Sequence, residues 1–308
     1  MTRAALGSAL LSAFAATVIF AQQQPELGAP LDPAGFAFQR SIPDGRPGAV
    51  ALVVDPLTLA HSRGPGERFA DVRILDGSDR QVPYVVEFRD EMLVVPLKAE
   101  RAEPPVSSPA LANRSNWSSY RLTLPCANLP ASKIAIETSA QVFQRGVQLA
   151  AVRPADRQSR DARLEILTTT SWGHVSAEEP ARPLTMSVAP GDASELWLSV
   201  DEGDNSPLPI TAARLLLPSY RFRFYRPARS SLTLVYGRSD LPAPRYDLAL
   251  VSNTLLRAEA TEVTPRAERQ TNSVRTSFVS PVQFWIFLSI AVAVLLLVIV
   301  RLTKRRGA

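Results

Sequence analysis

The sequence predicts an all-β chain: two antiparallel β-sandwich-like units followed by one C-terminal transmembrane helix. Three observations predict it. Short apolar runs recur between Pro, Gly, Asp and Asn, as strands joined by turns require. The 26 prolines are spread along the chain; they suit turns and edge strands and break helical periods. Residues 282–300 form a nineteen-residue run without a charge. As a helix it spans roughly 28 Å, the thickness of a bilayer's hydrocarbon core.

At the N-terminus, Arg3 precedes an apolar run that ends at Ala21, before Gln22, Gln23, Gln24 and Pro25. A basic start, an apolar middle and a small residue at the cut describe a secretory signal peptide, 1–21, with an uncleaved anchor as the rival. The first β domain, 22–100, holds strand-like runs at 49–54, 72–75, 82–88 and 92–97. Asp76-Gly77 marks a hairpin-type turn inside it. Residues 101–116 are polar and rich in Pro and Ser, a linker by composition. The second β-sandwich domain, 117–263, holds runs at 120–124, 134–137, 147–152, 164–169, 195–200, 215–217, 220–225 and 231–236. Residues 247–259 are the best helix candidate, although Val251 and Thr254 suit a strand equally. Residues 264–281 are polar and aperiodic and read as a juxtamembrane stalk. Arg301, Lys304, Arg305 and Arg306 follow the span and place the tail 301–308 in the cytoplasm by the positive-inside rule. The expected topology is single-pass, with 22–281 outside the cytoplasmic membrane.

The chain carries 34 Lys+Arg against 29 Asp+Glu. Without Arg3 and the four basic tail residues each sign counts 29. The outside portion is thus balanced, and bulk charge gives no argument for nucleic acid. Cys126 is the one cysteine, so no internal disulfide supports the fold in an oxidising compartment. At the end of an apolar run it reads as a small hydrophobe; a catalytic thiol needs a His partner, and nothing local ties His61 or His174 to it. G-x-S-x-G, H-E-x-x-H, C-x-x-C and phosphate-binding Gly loops are missing from the sequence. Carboxylate pairs of the glycosidase type carry no short motif, so an envelope polysaccharide hydrolase stays open.

Several segments together resemble a known family. Ala70-Asp71-Val72-Arg73-Ile74-Leu75-Asp76 with Gln81-Val82-Pro83-Tyr84, the acidic turn Val200 to Leu208, and Leu234-Val235-Tyr236-Gly237 followed by Ala243-Pro244-Arg245-Tyr246-Asp247-Leu248 are similar to signatures of the bacterial domain-of-unknown-function 3999 family, in the same order. The resemblance implies an exported, membrane-anchored, β-rich protein of a bacterial envelope. It implies no reaction.

Candidate sites are few. Asp201, Glu202, Asp204 and Asn205 surround Gly203 and offer hard oxygen ligands of the kind Ca²⁺ takes; a tight turn between strands is the plainer reading. No other cofactor is called for. In 220–225, Tyr220, Phe222 and Phe224 share one face, and Arg221, Arg223 and Tyr225 share the other. That second face suits sugars or an anionic polymer, or is a solvated strand face. Trp117, Trp172 and Trp197 suit a sugar platform or the core. Asp71 and Arg73 are two residues apart, as a local ion pair requires. Together these observations favour a non-catalytic binding or scaffolding module that engages an envelope protein or a glycan. A paired-carboxylate hydrolase and a calcium-stabilised adhesin-like module are the alternatives.

Overall fold

The computed structural model describes residues 27–105, 116–153, 162–228 and 230–271, with Trp285 and Ser289. The expected signal segment, the basic tail, most of the linker and the rest of 282–300 lie outside the described residues. Trp285 and Ser289 are helical. Among the described residues no helix is long and apolar enough to cross a membrane.

In chain order the elements are β1 (Phe38–Ile42), β2 (Gly48–Val53), α1 (Pro56–His61), β3 (Arg73–Asp76), β4 (Tyr84–Arg101), β5 (Trp117–Thr123), β6 (Ser132–Thr138), β7 (Phe143–Arg153), β8 (Arg163–His174), β9 (Leu184–Val188), β10 (Glu195–Asp201), β11 (Ile210–Arg226), β12 (Leu232–Tyr236), α2 (Ser252–Arg257), β13 (Thr261–Val263) and β14 (Arg269–Gln270). The predicted β class is observed. Alternation builds the strands: Leu184, Met186 and Val188 of β9 are buried while Thr185 and Ser187 face out, as a pleat with one wet face requires.

Two strands organise the rest. β4 has 18 residues and β11 has 17. They pair antiparallel along most of their length. The C-terminal half of β11 pairs with β2, from Arg221↔Val53 to Arg226↔Gly48. Its N-terminal half pairs with β6, and the C-terminal end of β4 pairs with β5. One end of the β4–β11 ribbon therefore belongs to a sheet β13–β2–β11–β4, and the other to a run β9–β6–β11–β4–β5–β10–β7–β8. In the second run β8 and β9 pack edge to edge, and Trp172 Nε1 donates to the Arg182 carbonyl at 3.2 Å. The result is nearly a barrel. A separate four-stranded sheet, β14–β1–β12–β3, completes the first unit. The expected segments 22–100 and 117–263 thus exchange strands: β12 and half of β11 lie among strands of the N-terminal segment.

The core is continuous. Phe222 and Phe224 of β11 are fully buried, in one apolar cluster with Leu52, Phe69 and Ile74 of the first unit and Leu122, Leu149 and Leu198 of the barrel. Phe69 meets Phe222 edge-on at 5.2 Å, and Tyr84 meets it at 4.9 Å. Such pairs add about 0.5–1.5 kcal/mol each beyond area burial.

Buried charges pin the loops. The Asp71 carboxylate accepts the Arg63 and Gly237 amides at 2.9 and 2.8 Å. Arg73 donates to the carbonyls of Ala70, Val72 and Pro242. The expected Asp71–Arg73 ion pair is replaced by these backbone contacts, since Asp71 lies before β3 rather than on its face. Gly237 has φ +84°, and a Cβ there would lie 2.8 Å from the Phe38 ring, so its amide reaches Asp71 in a conformation that favours glycine.

Two expectations are corrected at the C-terminal side. Residues 247–259 form neither one helix nor a strand: a 3₁₀ turn, Asp247–Val251, leads into the short α2. The first part of the expected stalk is docked rather than free. The Arg266 amide donates to Ser41 O at 2.9 Å and that of Thr271 to Ala37 O at 2.8 Å. β14 pairs with β1. Arg40 donates to the carbonyls of Arg266 and Pro265 and, at 2.6 Å, to Asp55. Glu268 accepts Tyr236 Oη at 2.5 Å and lies 2.9 Å from His61 Nδ1.

Because β11 belongs to both units, truncating its core is expected to unfold both together. Phe222→Ala should lower stability by about 3–5 kcal/mol, with urea transitions followed by Trp fluorescence (Trp117, Trp172 and Trp197 lie in the barrel) and by far-UV dichroism still coincident.

Candidate functional site

A groove of about 520 Å³ opens at the end of the barrel where β4 and β11 leave it for the first unit, and Met92, Ser132, Lys133, Leu167, Val188 and Pro218 line it with Ala131, Ser187 and Ala189. Irregular strands make it. On β11, Leu217 pairs with Leu93 but Ser219 pairs with Arg89, so Pro218 opposes a bulged stretch that ends at Met92. Proline cannot donate to a ladder, which confines it to edges and bulges. On β8, Thr168 pairs with Leu149 and Ile166 with Ala150, leaving Leu167 as an extra residue. Bulges re-aim side chains and recur at barrel rims. Here the two meet across one opening.

The groove is mostly apolar and asymmetric in charge. Lys133 is its charged side chain, exposed at the rim, and its lining contains no carboxylate. Ser132 pairs with Val188 and so shares its inward face. Ser132 is 6% exposed, and its Oγ is shielded without a hydrogen-bond partner among the described residues. The volume falls in the range of small-ligand sites, roughly 300–1,000 Å³.

The residues expected from sequence lie elsewhere and apart from one another. Arg221, Arg223 and Tyr225 do share the face opposite Phe222 and Phe224, but that face is spoken for. Arg223 makes a bidentate pair with Glu87 at 2.8 and 3.1 Å and donates to Ala258 O at the end of α2. Arg221 pairs with Glu262, and Tyr225 is half-buried against β2. A solvated or sugar-stacking Arg face is therefore corrected to an ion-paired one under a lid of chain. The hydrogen bond from Arg223 holds the Glu87 carboxyl below its usual 4.5.

Trp172 is buried, edge-on to Phe143 at 5.1 Å, and Trp197 is buried too. Both are core. Trp117 is half-buried on β5, opposite Asp201. The turn after β10 lies at this end of the barrel, opposite the groove. Gly203 there has φ +56°, its amide donates to Asp201 Oδ1 at 3.1 Å, and Asn205 donates to Glu202 O. Glu202 is 1% exposed: its carboxylate meets Arg145 Nε at 3.0 Å and accepts the Leu208 amide at 3.1 Å. Asp201, Glu202, Asp204 and Asn205 thus form a turn locked by an inward ion pair. Among the described residues no group of three or more His, Cys, Asp or Glu is placed to hold a metal ion.

Cys126 is half-buried with its thiol 3.6 Å from Pro56 O. Burial, with Asp55 and Glu268 nearby, pushes the thiol up to about 11, the wrong direction for a nucleophile. His61 stacks on Phe38 at 4.5 Å and meets Glu268 at 2.9 Å. Sequence reasoning passed over the groove. The signals available were Pro218 inside an apolar β run and Lys133, one of two lysines before the C-terminal span.

No protein-family model matches the chain, and no curated protein matches it. Among solved structures, the stem and receptor-binding domain of spike protein P1 from bacteriophage PM2 is similar at 10% identity, over 67% of this chain and 98% of that one, with a TM-score of 0.21, too low to equate the two folds.

Two outcomes follow from the ion pairs. Glu202→Gln leaves Arg145 buried without its counter-charge and should cost about 3–5 kcal/mol, while added Ca²⁺ or chelator leaves the wild-type melting temperature unchanged. For Glu87, whose folded-state pKa is depressed, the stabilisation is full above pH 4.5 and is lost as pH falls through the lower folded-state value. Acid unfolding curves of Glu87→Gln should therefore fall less steeply below pH 4.5 than those of wild type.

Proposed function

We propose that this chain is a non-catalytic binding module of the bacterial envelope, held at the outer face of the cytoplasmic membrane by a C-terminal span at 282–300, and that it takes an envelope component at the barrel mouth. The observation that carries this reading is the groove: it has the volume of a ligand site, is framed by two bulges, and is lined by apolar side chains without an acid–base pair. The uncharged run 282–300 and the basic tail support the anchor, and the resemblance to the domain-of-unknown-function 3999 family supports export. On this reading β12 and the 70–84 and 237–246 segments, where that resemblance lies, serve the fold. Asp71 meets Gly237, Arg73 meets Pro242, and Tyr84 packs on Tyr246 at 5.6 Å.

The chain is docked as far as Thr271, and ten residues separate it from Val282. Fully extended, they reach at most about 35 Å. The body of an anchored chain then works close to the bilayer surface rather than on a long stalk. In the turn that the calcium-adhesin reading would use, Glu202 is already paired with Arg145.

The test is affinity purification of the full chain from its native membrane in polymer nanodiscs, beside Leu167→Arg, which places a charge in the groove. The expected result is an envelope protein, glycan or lipid that co-purifies with wild type and is lost from the variant. Equal retention by both would remove the barrel mouth as the binding site. Recovery of the chain only from the soluble fraction would remove the anchor.

A further inference from the structure

The groove's chemistry narrows its ligand. We infer that it accepts a single acyl chain ending in an anionic group, a proposal that rests on reading the barrel mouth as a binding site. Met92, Leu167, Val188 and Pro218 give the opening apolar walls, which favour a hydrocarbon segment over a sugar. Ile166 beside Leu167 and Val94 beyond Met92 are exposed large apolar side chains, so apolar surface continues along β4 and β8 past the rim.

The polar groups set the sign of the end group. Lys133 stands exposed at the rim without an ion pair to any described residue, and the lining itself holds no carboxylate; of the acids beside Met92, Glu91 pairs with Arg89 and Asp90 is exposed. Ser132 lies on the other strand face, with its Oγ shielded, so Lys133 alone carries the charge at the rim. An ammonium end would meet Lys133 as a like charge. The tether also matters: a body held within about 35 Å of the bilayer meets amphiphiles that partition there. Two sources share this chemistry, a free fatty acid and a single-chain phospholipid.

The experiment is photolabelling of the full chain in nanodiscs with a diazirine-bearing analogue of dodecanoate, the labelled peptides being located by mass spectrometry. Label is expected on the peptides that contain Met92 and Leu167. Excess dodecanoate or lysophosphatidylglycerol should suppress it, the stronger competitor naming the source, while dodecylamine should not. Lys133→Glu, at an exposed position, should lower labelling about five-fold with an unchanged melting temperature. Labelling of the groove that dodecylamine or dodecanol suppresses as well as dodecanoate would overturn the anion while leaving the site standing. Failure of the dodecanoate probe, and of dodecylamine and dodecanol analogues bearing the same diazirine, to label these peptides would overturn the site as well.

Discussion

The structure depends on the β4–β11 ribbon. A pair of strands this long cannot stay within one sheet of ordinary size, because each sheet twists and closes on its own core. The chain resolves this by letting the ribbon pass from one unit to the other. Its neighbours change along the way: β2 flanks β11 in the first unit and β6 flanks it in the barrel. The change of partner is made at the irregular pairing around Pro218. The groove is therefore a by-product of the same geometry that couples the units, with a second bulge on β8 completing it.

Charge is used inside this molecule mainly to hold chain to chain. Asp71, Arg73 and Arg40 are each nearly inaccessible, and their partners include loop carbonyls or amides far away in sequence. Buried charges persist where they are paired or fully hydrogen-bonded. Satisfying backbone groups fixes irregular segments that no strand ladder covers. Glu202 with Arg145, and Glu87 with Arg223, do the same for a turn and for the chain after α2. The side chains that looked most like a binding surface in the sequence are thus among those most committed to structure.

Much of the fold was legible because period-two burial follows from one wet and one dry face. The alternation in 220–225 and the Asp76-Gly77 turn were readable: Phe222 and Phe224 are buried, and the Asp76 side chain accepts the amides of Ser78 and Arg80. The ribbon was not readable. Pro218 split β11 into 215–217 and 220–225, and the polar Asp90-Glu91 split β4 into 82–88 and 92–97, since local breakers end a pattern even where pairing continues through a bulge. β1, β9 and the two shortest strands fell below the sequence signal. The partners of Arg221, Arg223 and Glu202 could not be read at all. Their counter-ions Glu262, Glu87 and Arg145 are brought in by tertiary folding from 41, 136 and 57 residues away. The groove residues come from five strands, and no local pattern joins them.

The docked segment that ends at Thr271 also has a mechanical meaning. A pull on the chain beyond Thr271 meets its contacts in series. It first loads the β14–β1 bonds, then Glu268 held by His61 and Tyr236, then the carbonyls of Arg266 and Pro265 gripped by Arg40, before it reaches β13 beside β2. These layers yield one after another at the margin of the first unit. Under such a pull they bear load before the strands of the barrel do, because β13 and β2 stand between them and β11.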